Sequence, residues 1–432
     1  MNRAVAELYA PDIITLATKP DTPRIPFKHE VFEEAVEWLH KEGRYTADML
    51  ADPHAHRLIE ETYNALDGAI GSSITQEMPE EMTYALRNNA FIFSGFKTHR
   101  TLSEVGLELT DEEGNLKPYA KFLEDVKRID SKYNDTYLYA EYNHAVHTTQ
   151  MAVKWQDFVR DGDDYNLQYR TAGDERVREA HIALDGVTLP PSDKFWDRYL
   201  PPNGWNCRCT VVQVLREDFP LSDSEEAIKR GDESTQSIKQ QMFRFNPGKT
   251  LEVFPPKHPY LPKGCGDCPQ RTSLKLATPV DRGLPMCQAC GEVAKQCLKQ
   301  QQQHINEWKK RKIPEVGGLN IKGENFYWGN MLITRGSINE TMSHSRNIAV
   351  RNSLLGIEQR ATAWRYVGWR PCEEGKHPEA AYFMYYEVEI GGKTYYANVK
   401  AHKVFKSEVL YCIREKCKLN QLRHDAPPNF YE

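Results

Sequence analysis

The sequence lacks a long apolar run and a strong net charge of either sign. No stretch approaches the roughly 18 apolar residues of a membrane span, and the opening MNRAVAELYAPDIITLATKP has no signal-peptide core. A net charge of −5 over 432 residues gives no whole-chain signature of nucleic-acid or membrane binding. We therefore expect a protein with no membrane partner that is made and kept in the cytoplasm, or packaged from there.

The chain also lacks the character of a small disulfide-stabilised domain, although it contains ten cysteines. In a long chain without a secretory leader, cysteines indicate thiols or metal ligands rather than disulfides. The length allows roughly two to four domains. We predict a multidomain α+β protein: a mainly helical N-terminal region, a small α+β module, a four-cysteine zinc knuckle segment, and a C-terminal domain of two helices and an antiparallel sheet.

Changes in composition along the chain predict where these parts begin and end. The predicted boundaries are 1–160 for the helical region, 161–216 for the α+β module, 217–260 for a linker, 261–300 for the zinc segment, 301–315 for a helical spacer and 316–432 for the C-terminal domain.

Helical patterns dominate the first third. In FKHEVFEEAVEWLHKEG, residues Phe32, Val36 and Leu39 fall on one helix face and Gly43 ends the pattern. From Pro118 to about Phe158 the chain has no further proline or glycine, and its apolar residues recur near helical spacing. This predicts one long helix or two abutting helices.

Two cysteines one residue apart follow a proline turn and a tryptophan in YLPPNGWNCRCTVVQV, residues 199–214. They are poorly placed to bridge each other, because a disulfide needs a narrow range of Cα distances and directions. Cys207 and Cys209 are therefore either buried side chains at a strand start or two ligands of a bound group.

This stretch ends a longer pattern, LQYRTAGDERVREAHIALDGVTLPPSDKFWDRYLPPNGWNCRC. The pattern predicts a strand, a turn, a short helix Asp174–Leu184 with Asp174 as its N-cap, a proline-rich connection and a strand Thr210–Leu215. Its TAGDERVREAH segment and GWNCRC ending resemble the phage Mu F-like minor head proteins, also described as the phage head morphogenesis family.

The resemblance implies a low-copy protein of a phage or prophage head that acts near the portal in capsid morphogenesis, DNA packaging or ejection. Portal, capsid and scaffold proteins, with phage DNA, are the implied partners. The implied location is the virion, or the bacterial cytoplasm during assembly. No enzymatic activity is implied by this segment.

The same segment offers a candidate metal site. His181, Cys207 and Cys209 supply one nitrogen and two sulfurs that zinc can bind, with Asp174 or Asp185 as a fourth group. The alternative is a hydrogen-bonded histidine and two small buried side chains that lock a turn. Either interpretation has these residues holding the fold, and the sequence leaves the choice open.

The stretch after Leu215 is acidic, carries serines and lacks long apolar faces, so we expect a linker with at most one short helix.

A second cysteine cluster follows, in CGDCPQRTSLKLATPVDRGLPMCQAC. Its two CxxC pairs are eighteen residues apart, with glycine beside or within each pair. This spacing predicts one structural zinc ion held by Cys265, Cys268, Cys287 and Cys290. A redox dithiol is disfavoured because a thioredoxin-like CxxC does not occur as a spaced duplicate.

The last hundred residues predict an independent α+β unit, in which Ser337 is a candidate helix N-cap with Glu340 at capping-box spacing. YFMYYEVEI and KTYYANVKAHKV then flank a Gly391-Gly392 turn. A two-residue loop fixes the hairpin register. The predicted pairs are Ile390 with Lys393, Val388 with Tyr395 and Met384 with Val399.

The opposite face of this hairpin is expected to be exposed and rich in titratable groups. It would carry Tyr385, Glu387, Thr394, Tyr396, Asn398, Lys400 and His402. From residue 333 onward there are 15 lysines and arginines against 11 acidic residues, so this region has a charge of +4 and residues 1–332 have −9. The C-terminal region is thus modestly suited to a polyanion.

Two helices followed by a sheet, entered through ITRGSINETMSHSRN, are similar to the phage-associated nuclease-like domains of the barnase, EndoU, colicin and RelE fold. The resemblance implies a metal-independent, toxin-like ribonuclease with RNA as its substrate. Such cleavage needs a base for the 2′-hydroxyl, an acid for the leaving oxygen and a cation for the phosphate. The candidates are Glu387 or His402 as base, His344 as acid, and Lys400 with Arg346 as cations. The alternative is a solvated sheet face and helix surface.

Two classes of function therefore compete. The first is a virion assembly protein with a C-terminal ribonuclease. The second is a purely structural head protein whose C-terminal domain is a non-catalytic binding module for portal, scaffold or DNA. A zinc-dependent DNA-binding factor is disfavoured, because the zinc segment is not strongly basic.

Overall fold

The structure, a computed structural model, describes residues 25–75, 78–255, 258–261, 288–345, 347–373, 375–390 and 393–429. It contains two compact units. The first takes in most described residues up to Leu261, and the second takes in those from Ala294 onward. None of the helices in these ranges is long and apolar enough to cross a bilayer. The protein is mixed α and β and multidomain, as predicted.

The first unit is mainly helical and has one small sheet. Its helices are α1 His29–Glu42, α2 Pro53–Ser73, α3 Glu80–Leu107, α4 Tyr119–Asp130, α5 Leu138–Asp161, α6 Glu179–Ile182, α7 Trp196–Tyr199, α8 Ser224–Ser234, α9 Ile238–Gln241 and α10 Pro247–Thr250. Its strands are β1 Asn166–Arg170, β2 Thr188–Leu189 and β3 Thr210–Val214, in the order β2-β1-β3 with antiparallel pairing.

The first predicted helix is confirmed as α1. Phe32, Val36 and Leu39 are buried on its inner face. Gly43 ends the helix with a φ of 66°, and its N–H donates to the Leu39 carbonyl. A side chain at this left-handed position would be strained, which explains the glycine.

The long helical stretch is also confirmed, as two helices joined without a break. A π-helical segment, Ser131–Tyr137, connects α4 to α5. It turns the aromatic rings of Tyr133 and Tyr137 into the interior, where both are buried.

The expected linker at 217–260 is more ordered than the sequence suggested. It forms α8, α9 and α10, and Phe243, Phe245 and Phe254 are buried. Gly248 fits directly against the Trp155 side chain. Phe243 packs against His144, and Phe254 stacks on Phe93, with ring centroids 5.3 and 3.8 Å apart.

Among its described residues, the second unit contains a six-stranded sheet and four helices, of which the first belongs to it from Ala294 onward. Its helices are α11 Gln288–Lys312, α12 Arg335–His344, α13 Ile348–Asn352 and α14 Ile357–Arg360. Its strands are β4 Leu319–Lys322, β5 Asn330–Ile333, β6 Arg365–Pro371, β7 Ala380–Ile390, β8 Lys393–His402 and β9 Ser407–Arg414. They lie in the order β4-β5-β9-β8-β7-β6, with every pair antiparallel except β5 and β9, which run parallel.

The predicted hairpin register is confirmed. Ile390 pairs with Lys393, Val388 with Tyr395, and Met384 with Val399. The predicted N-cap of α12, Ser337, is wrong. The helix is capped by Thr334, whose side chain accepts from the Ser337 N–H. Ser337 thus completes a capping box one turn earlier than expected.

The face of the hairpin that was expected to be open is partly covered. Asn398 is 5% exposed, and the Lys400 side chain is 13% exposed. Phe383, Tyr385 and Leu422 pack together on this side. The cover is supplied in part by the chain after β9, which returns across the sheet.

Candidate metal site

Helix α6 and the loop before β3 bring a histidine and two cysteines together. His181 lies in α6, and Cys207 and Cys209 end the loop before β3. The antiparallel pairing of β1 with β3 fixes the end of that loop, with Tyr169 opposite Val211. The short helix is smaller than predicted, and Asp174 does not cap it, because its N-cap position is Arg178.

The spacing of the three side chains suits a tetrahedral metal. His181 Nδ1 lies 3.6 Å from Cys207 Sγ and 3.5 Å from Cys209 Sγ. An ion with ordinary zinc–nitrogen and zinc–sulfur bond lengths in a tetrahedral site would hold such atoms about 3.6 Å apart. All three ligand atoms lie within 4.8 Å of one another.

The hydrogen bonding of His181 orients its ring for this role. Its Nε2 lies 3.3 Å from the Asn203 carbonyl oxygen, which can only accept, so Nε2 carries the proton. Nδ1 then presents its lone pair to the sulfurs. Metal-binding histidines commonly donate their second nitrogen to a carbonyl or carboxylate in this way.

The two thiols are coupled. A hydrogen bond between the two cysteine side chains lowers the pKa of Cys207 well below its ordinary value. The same contact and burial raise the pKa of Cys209. The Cys207 sulfur is therefore the favoured thiolate, the form that binds metals.

Helix α5 holds the loop in place. Trp205 is 2% exposed and packs edge-on against His144, with ring centroids 5.0 Å apart. His147 Nδ1 donates to the Cys207 carbonyl over 2.8 Å. Arg178 donates to the Trp205 carbonyl over 2.6 Å. The loop that carries both cysteines is thus anchored on two sides.

Neither carboxylate suggested as a fourth ligand joins the group. Asp174 forms a two-pronged pair with Arg208, with both N–O distances 2.6 Å. This pair lowers the pKa of Asp174 to about 2. Asp185 accepts from the Thr171 N–H over 2.7 Å.

The fourth position instead faces a small pocket. It has a volume of about 20 Å³ and is lined by Arg176, Arg178 and Arg208 together with the three candidate ligands. A site of this size holds about one water-sized group. Among the described residues, this is the one group of three or more potential metal ligands. It can hold a metal ion together with one exogenous ligand.

The four-cysteine site stays a prediction. Cys265, Cys268 and Cys287 lie outside the described residues. Cys290 lies in the first turn of α11 and is partly buried.

The candidate catalytic residues of the C-terminal domain fall into two places. His344 and Lys400 both approach Tyr411, with the His344 ring 6.0 Å and Lys400 Nζ 4.4 Å from its ring centre. Glu387 pairs with Arg365. Because Glu387 is opposite Tyr396, it lies four residues along the sheet from Lys400, or about 13 Å.

The two remaining candidates do not extend this group. His402 packs against Phe405, with ring centroids 4.5 Å apart, and Arg346 lies outside the described residues. Sequence reasoning missed His377, Glu379 and Tyr411, which surround Lys400. No sequence signal marks them, because a loop and an irregularity in strand pairing bring them there.

Comparison with known proteins gives a match for the region that contains the candidate metal site. Residues 112–212 match the family described as Phage Mu protein F like protein. This match contains β1, β2, the first residues of β3 and all three candidate ligands. The chain therefore carries a Mu F-like region.

Two curated relatives agree. The chain is 26% identical over 169 residues to the putative capsid assembly protein F of Escherichia phage Mu, a match that covers 38% of this chain and 35% of that protein. It is 41% identical over 44 residues to the Mu-like prophage FluMu F protein of Haemophilus influenzae, which covers 10% of this chain and 11% of that protein. The chain thus spans about a third or less of the length of these relatives. No solved structure gives a significant match.

Proposed function

We propose that this protein acts in assembling the head of a phage or prophage, where its Mu F-like region forms a rigid module that contacts capsid-related proteins. The observation that carries the proposal is that the matched residues, 112–212, include the loop anchored by α5. They also include His181, Cys207 and Cys209. A module held by buried aromatic side chains and by several hydrogen bonds to its cysteine loop suits a structural role.

Purified particles test this role. We expect mass spectrometry to find peptides of this protein in procapsids, together with the portal protein. Particles that assemble and package DNA without any such peptides would contradict the proposal.

We further propose that His181, Cys207 and Cys209 bind a zinc ion. One imidazole and two thiolates are the ligand types that zinc prefers in structural sites, with the fourth position taken by water or by a partner's side chain. With the four-cysteine site also filled, we expect two zinc ions per chain.

Elemental analysis of matched variants separates the two sites. Cys207→Ser and His181→Asn should each remove one zinc ion and lower the unfolding midpoint, because structural zinc contributes folding free energy. Cys265→Ser should remove the other ion. Cys412→Ser, a buried cysteine of β9, is the control and should keep both. Full metal content in Cys207→Ser would exclude the site.

A second function is proposed for the C-terminal domain, which we assign as a ribonuclease. The convergence of Lys400 and His344 on Tyr411 favours it, since a lysine can stabilise a phosphate and a histidine can transfer a proton. Lys400→Ala should lower the rate of RNA cleavage on the order of a hundredfold, as expected for loss of a preorganised cation. If the purified wild-type chain cleaves no RNA of varied sequence, the domain is a binding module instead.

A further inference from the structure

One aromatic ring in the second unit is surrounded by groups that can move protons or hold an anion. Lys400 Nζ lies 4.4 Å from the centre of the Tyr411 ring. His377 packs edge-on against the same ring at 5.2 Å, and His344 does so at 6.0 Å. Glu379 completes the group through its contacts with Lys400 and His377. These five residues, His344, His377, Glu379, Lys400 and Tyr411, are called the Tyr411 cluster.

Glu379 connects two members of the cluster. Its Oε1 lies 2.5 Å from Lys400 Nζ and 3.5 Å from His377 Nδ1. The hydrogen bond from Lys400 lowers the pKa of Glu379 to about 2. This carboxylate therefore stays ionised and cannot exchange protons near neutral pH, which leaves it an orienting role.

Four parts of the chain supply the cluster: α12, the loop before β7, β8 and β9. Tyr411 lies in β9, beside the irregular pairing at Asn398 and Val399 of β8. Helix α12 lies along β9, where Ser337 Oγ donates to the Leu410 carbonyl and the Ile413 N–H donates to Thr341. His344, at the end of α12, lies against the Tyr411 ring.

His377 reaches the Tyr411 ring from the loop before β7, and its backbone conformation is unusual. Its φ is 53°, in the left-handed region that side chains seldom adopt. Uncommon backbone geometry of this kind often marks functional positions. The side chain is 31% exposed, so its ring meets both Tyr411 and solvent.

We propose that the Tyr411 cluster is the ribonuclease centre of the C-terminal domain, with His377 as general base and His344 as general acid. This inference rests on the proposed ribonuclease function and replaces Glu387 and His402 as candidate bases. The two imidazole centres lie no further apart than 11.2 Å, since they are 5.2 and 6.0 Å from one ring. The substrate is RNA, because the base acts on a 2′-hydroxyl.

The chemistry balances without any further reactant. His377 takes the proton of the ribose 2′-hydroxyl, and the 2′-oxygen forms a bond to phosphorus. The bond between phosphorus and the 5′-oxygen breaks, and protonated His344 gives its proton to that oxygen. The products are a 2′,3′-cyclic phosphate and a 5′-hydroxyl. Lys400 stabilises the charge on the phosphate oxygens.

Tyr411 and Glu379 support this step. Burial raises the pKa of Tyr411, and the negative charge of Glu340 and a hydrogen bond to Glu340 raise it further. The phenol therefore stays neutral and adds no negative charge beside the phosphate. Glu379 stabilises the His377 imidazolium that forms when the base takes its proton. It is a positioning residue, since it contacts the catalytic groups rather than the substrate.

The test uses the full chain and a labelled mixed-sequence RNA oligonucleotide, with DNA of the same sequence as a second arm. The variants are His377→Gly, His377→Asn and His344→Ala. Glycine and asparagine both tolerate a positive φ, so these substitutions keep the loop conformation. The matched control is His424→Ala, an exposed histidine beside β6, two strands away from β8.

We expect each cluster variant to cleave RNA a hundredfold or more slowly, as for loss of a general acid or base. Free imidazole should restore part of the activity of His377→Gly, which a purely structural role would not allow. The control should match the wild type, and DNA should stay intact.

The outcomes separate the two proposals. If the wild type leaves the RNA intact, both the ribonuclease function and this catalytic centre are excluded. Cleavage by the wild type and by His377→Gly at equal rates, with equal unfolding midpoints, would overturn the centre alone. Equal cleavage of DNA would exclude the 2′-hydroxyl step.

Discussion

Lys97 Nζ lies 2.5 Å from Glu141 Oε2, and the two side chains are 1% and 0% exposed. The Tyr260 hydroxyl donates to the other carboxylate oxygen, so Glu141 has two buried partners. This pair links α3 to α5 inside the first unit. Burial lowers the pKa of Lys97, but the nearby carboxylate opposes that shift.

Lys97→Met should destabilise the first unit by about 3–5 kcal/mol, because it leaves a carboxylate buried without its counter-charge. The free energy of urea unfolding measures this loss. Lys97→Met combined with Glu141→Leu should recover much of it, since no charge then stays buried. A double variant that is as unstable as the sum of the two single variants would contradict this explanation.

Gly248→Ala should destabilise the same unit by about 1–3 kcal/mol through overpacking. A Cβ atom at this position would lie 2.5 Å from Trp155 Cδ1 and closer still to Cβ and Cγ of that residue. The unfolding midpoint measures the effect.

Gly68 supplies the matched control for Gly248. It lies within α2, and a Cβ there would meet nothing within 4 Å. Gly68→Ala should stabilise the unit by roughly 0.5–1 kcal/mol, because alanine favours a helix over glycine. If both variants move the midpoint in the same direction, the close contact with Trp155 is not the cause.

The sequence predicts structure well where a local rule decides the outcome. The pairing of Val388 with Tyr395 follows from a two-residue turn and alternating side chains, and the end of α1 follows from Gly43. The grouping of His181 with Cys207 and Cys209 followed from one ordered motif.

Partners that are distant in the chain were not predictable in the same way. Asp174 was a candidate ligand, yet it pairs with Arg208, which stands between the two cysteines. The sequence offers several carboxylates as possible partners for Arg208. The conformation of the folded loop determines that Asp174 is the partner. The contact of His377 with Tyr411 likewise depends on a loop and on irregular strand pairing, neither of which has a sequence signature.

Trp205→Ala should destabilise the first unit by about 3–5 kcal/mol, the usual effect of removing a buried large aromatic side chain. Trp205 contacts His144 and Phe243, with ring centroids 5.0 and 5.2 Å apart. Chemical denaturation measures the loss, and Leu215→Ala, at an exposed position, should change stability by less than about 0.5 kcal/mol. Zinc content should fall in Trp205→Ala as the cysteine loop loosens. A destabilised variant that keeps its full zinc content would show that the loop does not depend on this anchor.

The stability of the second unit should depend on pH through Glu408. Burial raises the pKa of this carboxyl to about 7, although hydrogen bonds from Tyr386 and from the Trp328 N–H act in the opposite direction. The unfolded chain ionises near the ordinary value of 4.5, whereas the folded state keeps its proton up to about pH 7. The stabilisation is therefore fully present below pH 4.5 and is lost as the pH rises towards 7. A shift of this size corresponds to about 3 kcal/mol.

Glu408→Gln should remove this dependence, because glutamine does not ionise. Its oxygen can accept from the Trp328 N–H, and its NH2 group can donate to the Tyr386 hydroxyl oxygen. The measurement is the free energy of urea unfolding of the full chain, taken between pH 4.5 and 8 and followed by tryptophan fluorescence. The difference between wild type and Glu408→Gln isolates the contribution of this one carboxyl from all other titrating groups. Glu389→Gln, at an exposed position of β7, should follow the wild-type curve. Curves for wild type and Glu408→Gln that run parallel over this range would mean that Glu408 is already ionised in the folded protein, with its charge satisfied by Tyr386 and Trp328.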